Sequence, residues 1–223
     1  MTQLTHSFEV NPAPAVLDEG RLASLHRIVT PHLSDNLHRQ EGVVGLKRYN
    51  KTGKLVGTAL TVKTRPGDNL FIYKAMTLLA KGHVLVVDAG GDLSNACVGE
   101  IMKNYLQQRG CAGLIVDGAI RDVAAFENDS FPCFARGNVH RGPYKDGPGA
   151  VNVPVSIGGQ VINPGDVIVA DEDGIVSFPP ELVDELIEAG NAHAKKEIKI
   201  MSEIATGSMD QSWLQSVLNA KGL

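Results

Sequence analysis

Two short runs of β-branched residues flank a helical pattern in the middle of the chain. The runs are HVLVVDAGG (residues 83–91) and AGLIVDGAI (112–120), and the helical pattern is VGEIMKNYLQQRG (98–110). A strand, a helix and a strand within about forty residues make a right-handed crossover, with the two strands parallel and buried on both faces. The centre of the chain is therefore predicted to be a βαβ unit of an α/β fold.

The N-terminal third is predicted to contain two helices, a strand and a third helix. Pro31 is expected to end the first helix, and Ser34 has the side chain of an N-cap for the second. Val and Thr enrichment before the turn signal Pro66-Gly67-Asp68 indicates the strand. The predicted elements are a helix over 15–29, a short helix over 35–40, a strand over 55–63 and a helix over 71–82.

After Pro132 the pattern changes to short strands separated by Gly and Pro turns. VSIGGQVI predicts a hairpin through Gly158-Gly159, and DVIVADEDGIVSF predicts two strands about Asp173-Gly174. This half is therefore predicted to be β-rich and antiparallel. A long polar-faced helix is predicted after Pro179, with Gly190 weakening its middle. No linker interrupts the pattern, so one domain over 1–223, ending in a helical tail, is expected.

The charge and the N-terminus exclude several classes of function. The net charge of −4 offers no basic field for nucleic acid or acidic lipid. The first ten residues, MTQLTHSFEV, lack the basic start and apolar run of a signal peptide, and no apolar stretch is long enough to span a bilayer. A cytoplasmic protein with neither a membrane nor a nucleic-acid partner is expected.

Cysteine and histidine spacing argues against metal-binding motifs of the usual kind. Cys97, Cys111 and Cys133 are an odd number without a CxxC pair, so buried core thiols are expected. The seven histidines contain no HxxxH pair, which disfavours a zinc site. Lys63, at the end of a predicted strand, could form a Schiff base, but nothing next to it in the sequence would depress its pKa.

The strongest candidate site combines Glu100 with the adjacent Arg121 and Asp122. Glu100 lies in the first turn of the central helix, and Arg121-Asp122 follows the next parallel strand. Loops at the carboxyl ends of parallel strands lie side by side, so these three groups are expected to share one pocket. The residues alone leave a surface ion pair between Arg121 and Asp122 open as the alternative.

Each residue type in this pocket suits a 2-oxo acid. The free amides at the start of the helix, around Gly99, Glu100, Ile101 and Met102, would bind a carboxylate. The planar guanidinium of Arg121 would add bidentate hydrogen bonds to a carboxylate or a 2-oxo acid. Asp122 and Glu100 supply hard oxygen ligands for Mg²⁺ or Mn²⁺, which takes one or two carboxylates and keeps waters.

These residues resemble the class II pyruvate aldolases typified by 4-hydroxy-4-methyl-2-oxoglutarate aldolase, and the RraA-like proteins that share their fold. The aldolase signature is an acidic residue, twenty further residues and then Arg-Asp. Here residues 101–120, twenty in number, separate Glu100 from Arg121-Asp122. Segments such as GTALTVKTRPGDNL, VLVVDAGGD and FARGNVHRG also follow the family order over roughly 20–200.

The resemblance implies a swivelling α/β/β sandwich that assembles into homotrimers or homohexamers with active sites between subunits. It implies that Arg121 binds the pyruvyl group, that Asp122 coordinates the divalent metal, and that Glu100 positions metal-bound water. An acid of the neighbouring subunit would complete the site. The acids of the Asp171-Glu172-Asp173 stretch are candidates by location only, and a polar turn is the simpler interpretation of them.

The implied activity is metal-dependent cleavage of a 4-hydroxy-2-oxo acid to pyruvate, with oxaloacetate decarboxylation as a side activity. The competing class is a non-catalytic RraA-type regulator that binds ribonuclease E. The intact set of Glu100, Arg121 and Asp122 favours the enzyme.

Overall fold

The computed structural model describes residues 8–39 and 42–223 of the chain. The helices are α1 Glu19–Leu25, α2 Thr30–Asn36, α3 Leu70–Met76, α4 Glu100–Gln108, α5 Val123–Glu127, α6 Val183–Thr206 and α7 Ser212–Ala220. The strands are β1 Glu9–Val10, β2 Lys47–Arg48, β3 Leu55–Thr64, β4 His83–Asp88, β5 Ala96–Val98, β6 Gly113–Ile120, β7 Cys133–Asn138, β8 Gly149–Val151, β9 Val155–Ile157, β10 Gln160–Ile162, β11 Val167–Ala170 and β12 Ile175–Phe178.

The centre of the large sheet is the parallel set β3, β4, β6 and β7. β4 and β6, joined by α4, are the predicted βαβ unit. At the free edge of β3 the sheet divides, because β11 pairs with the first half of β3 and β8 pairs with its last residues, both antiparallel. β12 continues the β11 branch, and β9 and β10 form a separate hairpin, as the sequence predicts.

Two apolar cores on opposite faces of the sheet define the layers. On one face, Ile72 of α3 and Leu106 of α4 pack against the strands. On the other face, Ile157, Ile162 and Ile168 of the β-rich half pack against the same strands. The parallel strands are apolar throughout because both faces are covered, and each buried Leu or Ile contributes about 1.5–3 kcal/mol. Helix, sheet and β-layer in this order form the predicted α/β/β sandwich.

Two predictions about the N-terminal helices are wrong. Pro31 does not end a helix but lies in the first turn of α2, where its missing amide costs nothing. Ser34 therefore lies inside α2 and is not an N-cap. The side chain of Asp171 accepts hydrogen bonds from the amide (2.8 Å) and hydroxyl (2.5 Å) of Thr30 and so caps this helix from a distant turn. The last residue of the predicted helix over 35–40 lies outside the described residues.

Other differences arise from tertiary contacts. The helix predicted over 71–82 ends at Met76, and β6 continues through Gly118 to Ile120. Gly118 is required for close approach, since a Cβ there would lie 2.8 Å from the Cβ of Ala89. β7, predicted to belong to an antiparallel half, pairs parallel with β6.

The long helix α6 follows Pro179 as predicted, after a 3₁₀ turn at Pro180–Leu182. The helix is continuous through Gly190. The glycine allows close packing at this position, because a Cβ there would lie 2.6 Å from Ile28 Cγ2. Leu25, Ile28 and Leu186 form a third core between α1, α2, α6 and the β11–β12 branch. Within the described residues, no helix combines the length and apolarity needed to cross a membrane.

Candidate active site

The strand β5, which the sequence did not predict, brings Glu100 and Arg121 together. β6 extends past the end of β4, and β5 pairs in parallel with these last residues of β6. The amide of Arg121 donates to the carbonyl of Val98 at 2.9 Å, one residue before Gly99. Since α4 begins directly after Gly99, its first turn lies beside the Arg121-Asp122 dipeptide. Glu100 and Arg121 are therefore adjacent, as predicted. The pairing of β5 with the end of β6 makes them so, and not the pairing of β4 with β6.

Asp122 has an uncommon backbone conformation that directs its carboxylate towards α4. Its φ of 57° and ψ of 42° are left-handed, a conformation that Asp tolerates better than most residues. Asp122 Oδ2 accepts a hydrogen bond of 3.0 Å from the amide of Glu100. The chain therefore changes direction at Asp122, between the end of β6 and the start of α5. Residues held in such conformations often lie at functional sites.

Gly99 provides the space that this carboxylate occupies. A Cβ at this position would lie 2.5 Å from Asp122 Oδ2 and 3.0 Å from Arg121 Cγ. Its backbone is extended (φ −144°, ψ −169°), a conformation open to any residue, so the requirement for glycine is one of space alone. Gly99 therefore serves the site by its lack of a side chain.

The predicted anion site at the start of α4 is smaller than expected. The amide of Glu100 is occupied by the carboxylate of Asp122. Ile101 and Met102 lie in the first turn, where amides have no partner within the helix. The amides of Gly99, Ile101 and Met102 donate no hydrogen bond within the described residues, so these three are left for a substrate carboxylate, and the helix dipole favours an anion there.

Arg121 and Asp122 form the exposed ion pair that the sequence left open as the alternative, but the contact is long. Arg121 Nε lies 3.8 Å from Asp122 Oδ2, beyond hydrogen-bond distance, and the two side chains are 41% and 44% exposed. An exposed pair of this kind contributes about 0–1 kcal/mol to stability. The left-handed backbone and the Asp122–Glu100 hydrogen bond are not explained by so weak an interaction.

Asn69 is a cavity residue that the sequence reasoning missed. A cavity of about 50 Å³ is lined by Asn69, Cys97, Arg121, Asp122 and Lys145, among others. Asn69 is 2% exposed, and its Nδ2 donates to the carbonyl of Cys97 at 3.1 Å. Its Oδ1 is buried without a partner among the described residues, which is uncommon for a buried polar atom. The only sequence signal was an Asn directly after a turn.

Asp68 fixes the loop that closes this cavity. The Asp68 side chain is fully buried and accepts hydrogen bonds from the amides of Asp146 (2.7 Å) and Gly147 (3.0 Å), next to Lys145. Burial opposes ionisation of Asp68, but three backbone amides and a neighbouring guanidinium outweigh it and lower its pKa. The Asp68 carboxylate therefore has a structural role, which keeps the Lys145 loop against the cavity.

The positions of the three cysteines and of Lys63 do not support a role for them as nucleophiles. Cys97 lines the cavity, but burial raises its pKa to about 12, so its thiol stays protonated at neutral pH. Cys111 and Cys133 are also buried, which confirms the expected core cysteines. Lys63 is exposed on β3, opposite Asp88 of β4.

The acids of the 171–173 turn are partly engaged within the chain. Besides capping α2, Asp171 accepts from the amide of Asp173 at 3.1 Å. Glu172 lies 2.8 Å from Arg48 Nη1, and this guanidinium lowers the pKa of Glu172. The turn between β11 and β12 is thus the polar turn that the sequence favours. Whether one of these acids reaches a neighbouring subunit stays a prediction.

Comparisons with known proteins agree with this architecture. A sequence model of the RraA-like family, described as Aldolase/RraA, matches residues 30–177. A protein of Halalkalibacterium halodurans named "Putative 4-hydroxy-4-methyl-2-oxoglutarate aldolase" is 40% identical over 159 residues, which are 71% of this chain and 76% of that protein.

Two solved structures have the same fold. An uncharacterized protein from Pseudomonas syringae superimposes with a TM-score of 0.76 at 28% identity, over 89% of this chain and 96% of that one. Streptomyces coelicolor RraAS2, described as an unusual member of the RNase ES inhibitor RraA protein family, superimposes with a TM-score of 0.74 at 28% identity, over 84% and 96%. Since the family model spans more than half of the sequence, the chain belongs to the RraA-like (Aldolase/RraA) family.

Proposed function

We propose that the chain is a divalent-metal-dependent lyase that releases pyruvate from 4-hydroxy-2-oxo acids such as 4-hydroxy-4-methyl-2-oxoglutarate. The observation that carries this proposal is the left-handed Asp122, whose carboxylate rests on the first turn of α4 beside Arg121. The name of the H. halodurans relative supports the same substrate class.

The donor set at the cavity fits Mg²⁺ or Mn²⁺. Asp122 supplies a carboxylate oxygen that lines the cavity. Glu100, exposed at the start of α4 and not among the lining residues, would supply a second one from beside the cavity. These cations prefer oxygen ligands, take few protein carboxylates and keep several waters, so an open and partly exposed site suits them. Asp122 would hold the cation, with Glu100 ordering the water around it.

Each residue then has a defined part in the cleavage. The amides of Ile101 and Met102 bind the substrate carboxylate, and Arg121 holds the 2-oxo oxygen. A bound divalent cation supplies Lewis acidity at that oxygen and lowers the pKa of nearby water. Glu100 positions the water that accepts the proton of the 4-hydroxyl group.

Bond cleavage moves charge onto the oxygen that Arg121 contacts. As the C3–C4 bond breaks, its electron pair forms the C2–C3 double bond and the negative charge develops on the C2 oxygen. Arg121, which lines the cavity, would stabilise this enolate through the positive charge of its guanidinium. The deprotonated C4 oxygen becomes the carbonyl of the second product, and the proton taken up by the water is returned to C3 to give pyruvate. Loss of CO₂ from oxaloacetate leaves the same enolate, so oxaloacetate decarboxylation is expected as a side activity.

A coupled pyruvate assay tests the reaction. With 4-hydroxy-4-methyl-2-oxoglutarate, lactate dehydrogenase and NADH, we expect pyruvate release that stops with EDTA and returns with Mg²⁺ or Mn²⁺. It should also survive prior treatment of the protein with pyruvate and borohydride, both removed before the assay. Added pyruvate in the presence of EDTA controls for the coupling enzyme. Activity that survives EDTA but is lost with borohydride would replace the metal mechanism by a lysine Schiff base.

The second candidate function is regulation by protein contact. The similarity to RraAS2 favours it, since that protein's description places it among RNase ES inhibitors. A chain without turnover of any 4-hydroxy-2-oxo acid or oxaloacetate, but with saturable binding to ribonuclease E, would be such a regulator. Turnover without this binding supports the lyase.

We also propose that the chain forms homotrimers or homohexamers in which a neighbour covers the site. The exposed side chains of Ile101 (78%), Arg121 and Asp122 support this, because an open site cannot exclude water from an enolate. Light scattering on eluting protein is expected to give three or six times the mass of one chain, and Ile101→Asp is expected to lower it. A fully active monomer would contradict this assembly.

A further inference from the structure

Four side chains that could hold a metal ion meet where α2 packs against α6. His32 and Asp35 lie three residues apart on α2, and His193 and Glu197 lie four residues apart on α6. Positions at these spacings project from the same face of a helix, so each helix presents one imidazole and one carboxylate to the other. Two nitrogen and two oxygen donors thus converge from segments about 160 residues apart in the sequence, an arrangement known from metal sites in helix bundles.

The distances between these groups are those of a compact ligand set. His32 Nε2 lies 2.9 Å from Glu197 Oε2, and His193 Nε2 lies 3.7 Å from Glu197 Oε1. Donor atoms of His32, His193 and Glu197 all lie within 4.8 Å of one another. Donors around a tetrahedral zinc ion with bonds near 2.0–2.1 Å are separated by about 3.3 Å. The donor separations therefore allow one ion to be shared, once the two imidazole rings, which are stacked at 12° to each other, rotate so that both nitrogens point at it.

Asp35 supplies a fourth donor at slightly longer range. Asp35 Oδ2 lies 3.9 Å from His193 Nε2, while its Oδ1 contacts Arg39 Nε at 3.0 Å. The imidazole rings of His32 and His193 stack with centroids 4.5 Å apart and planes at 12°. A cation between these groups would offset two carboxylate charges, and Arg39 alone offsets only one of them.

The burial of the set suits a structural site with access from solvent. The side chain of His32 is 8% exposed and that of His193 27%, whereas Glu197 is 54% exposed. Beyond Glu197, the apolar residues Ile198 and Met201 of α6 are 70% and 65% exposed. The cluster therefore lies at the end of the contact between α6 and the rest of the described structure. None of its members lines the cavity of Arg121 and Asp122.

We propose that His32, His193 and Glu197, with Asp35 or water as the fourth ligand, bind one Zn²⁺ ion that fastens α6 to α2. Two imidazoles and carboxylate oxygen form a ligand set typical of zinc, and magnesium disfavours such nitrogen donors. The site is separate from the oxygen-rich candidate active site, and it does not depend on the function proposed there.

Zinc retention by untagged protein tests the site. The chain is stripped with a chelator, incubated with ZnCl₂, desalted and analysed for metal, in both the native sequence and an Asp122→Asn background that removes the other metal ligand. We expect one equivalent of zinc in both. Loss of a residue that only hydrogen-bonds to a metal ligand already weakens metal binding by about tenfold to a hundredfold. His193→Ala and Glu197→Gln remove a ligand itself, so each is expected to weaken zinc binding by at least about tenfold.

Glu188→Gln is the matched control, because Glu188 is an exposed acid of the same helix outside the cluster. Zinc is expected to raise the melting temperature of the native chain and of this control, but not that of Glu197→Gln, since a ligand stabilises the state that binds it. The largely exposed Glu197 can be changed without disturbing the core. Equal zinc retention in Glu197→Gln and Glu188→Gln, or no retained zinc in the native chain, would overturn the proposal and leave a His32–Glu197 contact alone.

Discussion

Asp122→Asn is expected to abolish metal-dependent pyruvate release while leaving the protein folded. Asn has nearly the same shape and is also tolerated in the left-handed conformation that Asp122 adopts, so the backbone and the acceptor for the Glu100 amide can remain. The charge that holds the cation is lost. We expect kcat to fall by roughly a hundredfold to a thousandfold, as on loss of one preorganised charge-stabilising group. The pyruvate assay and a thermal melt measure the two effects.

Asp184→Asn is the control for this substitution. Asp184 pairs with Arg21 at the start of α6, with its side chain 68% exposed, and belongs to neither proposed site. Loss of this exposed pair should have little effect on stability, because solvent screens such pairs, and should leave kcat unchanged. Magnesium titration should show weakened binding in Asp122→Asn alone. An Asp122→Asn protein that fails to fold would instead show that the aspartate is structural.

Gly99→Ala is expected to inactivate the site without removing any functional group. The added Cβ would lie 2.5 Å from Asp122 Oδ2, so the carboxylate must move off the Glu100 amide. A displacement of about 1 Å in a catalytic group can lower the rate a hundredfold, and we expect a loss on that scale. The variant should also require more Mg²⁺ for half-maximal activity, because the displaced group is the proposed metal ligand.

Gly20→Ala is the matched control for the added methyl group. Gly20 lies in α1, where the nearest atom to a new Cβ is Asp18 Oδ1 at 3.3 Å. Gly20 does not line the candidate cavity, so this variant should be as active as the native chain. Native activity in Gly99→Ala would mean that the Asp122 carboxylate does not need its contact with α4.

The parallel centre of the fold could be predicted because its pattern is local. Apolar runs such as HVLVVD and GLIVDGAI have this composition only when both faces are covered, and the helix between them has clear ends. The glycine turns of the β9–β10 hairpin and of the β11–β12 pair could be predicted for the same reason, since each depends on neighbouring residues. The N-terminal helices could not be predicted correctly, because α2 is capped by Asp171, a residue about 140 positions away.

The members of the candidate active site could be named from the sequence, but their arrangement could not. Glu100, Arg121 and Asp122 were identified by residue type, position after strands and family spacing. The strand β5 that joins them is three residues long and lies in a stretch that resembles a loop. Asn69 was missed because its burial, and the unpaired oxygen that results, depend on the contact of this residue with Cys97, 28 positions further along the chain.

The cluster at α2 and α6 shows the same limit. The sequence contains no HxxxH pair of histidines that would indicate this cluster, because each helix carries only one histidine of the set. Its i, i+3 and i, i+4 spacings become meaningful only when two helices from opposite ends of the sequence are packed face to face.

The sequence by itself therefore determined the α/β class, the family and the chemical groups at the carboxyl edge of the sheet. These follow from periodicity, residue type and short spacing, which act between neighbours in the chain. Tertiary structure alone decided that Asp122 turns its carboxylate onto the Glu100 amide, that Gly99 leaves room for it, and that His32 faces Glu197. Each of these depends on the distance between atoms of segments far apart in sequence, which packing sets and local pattern does not encode.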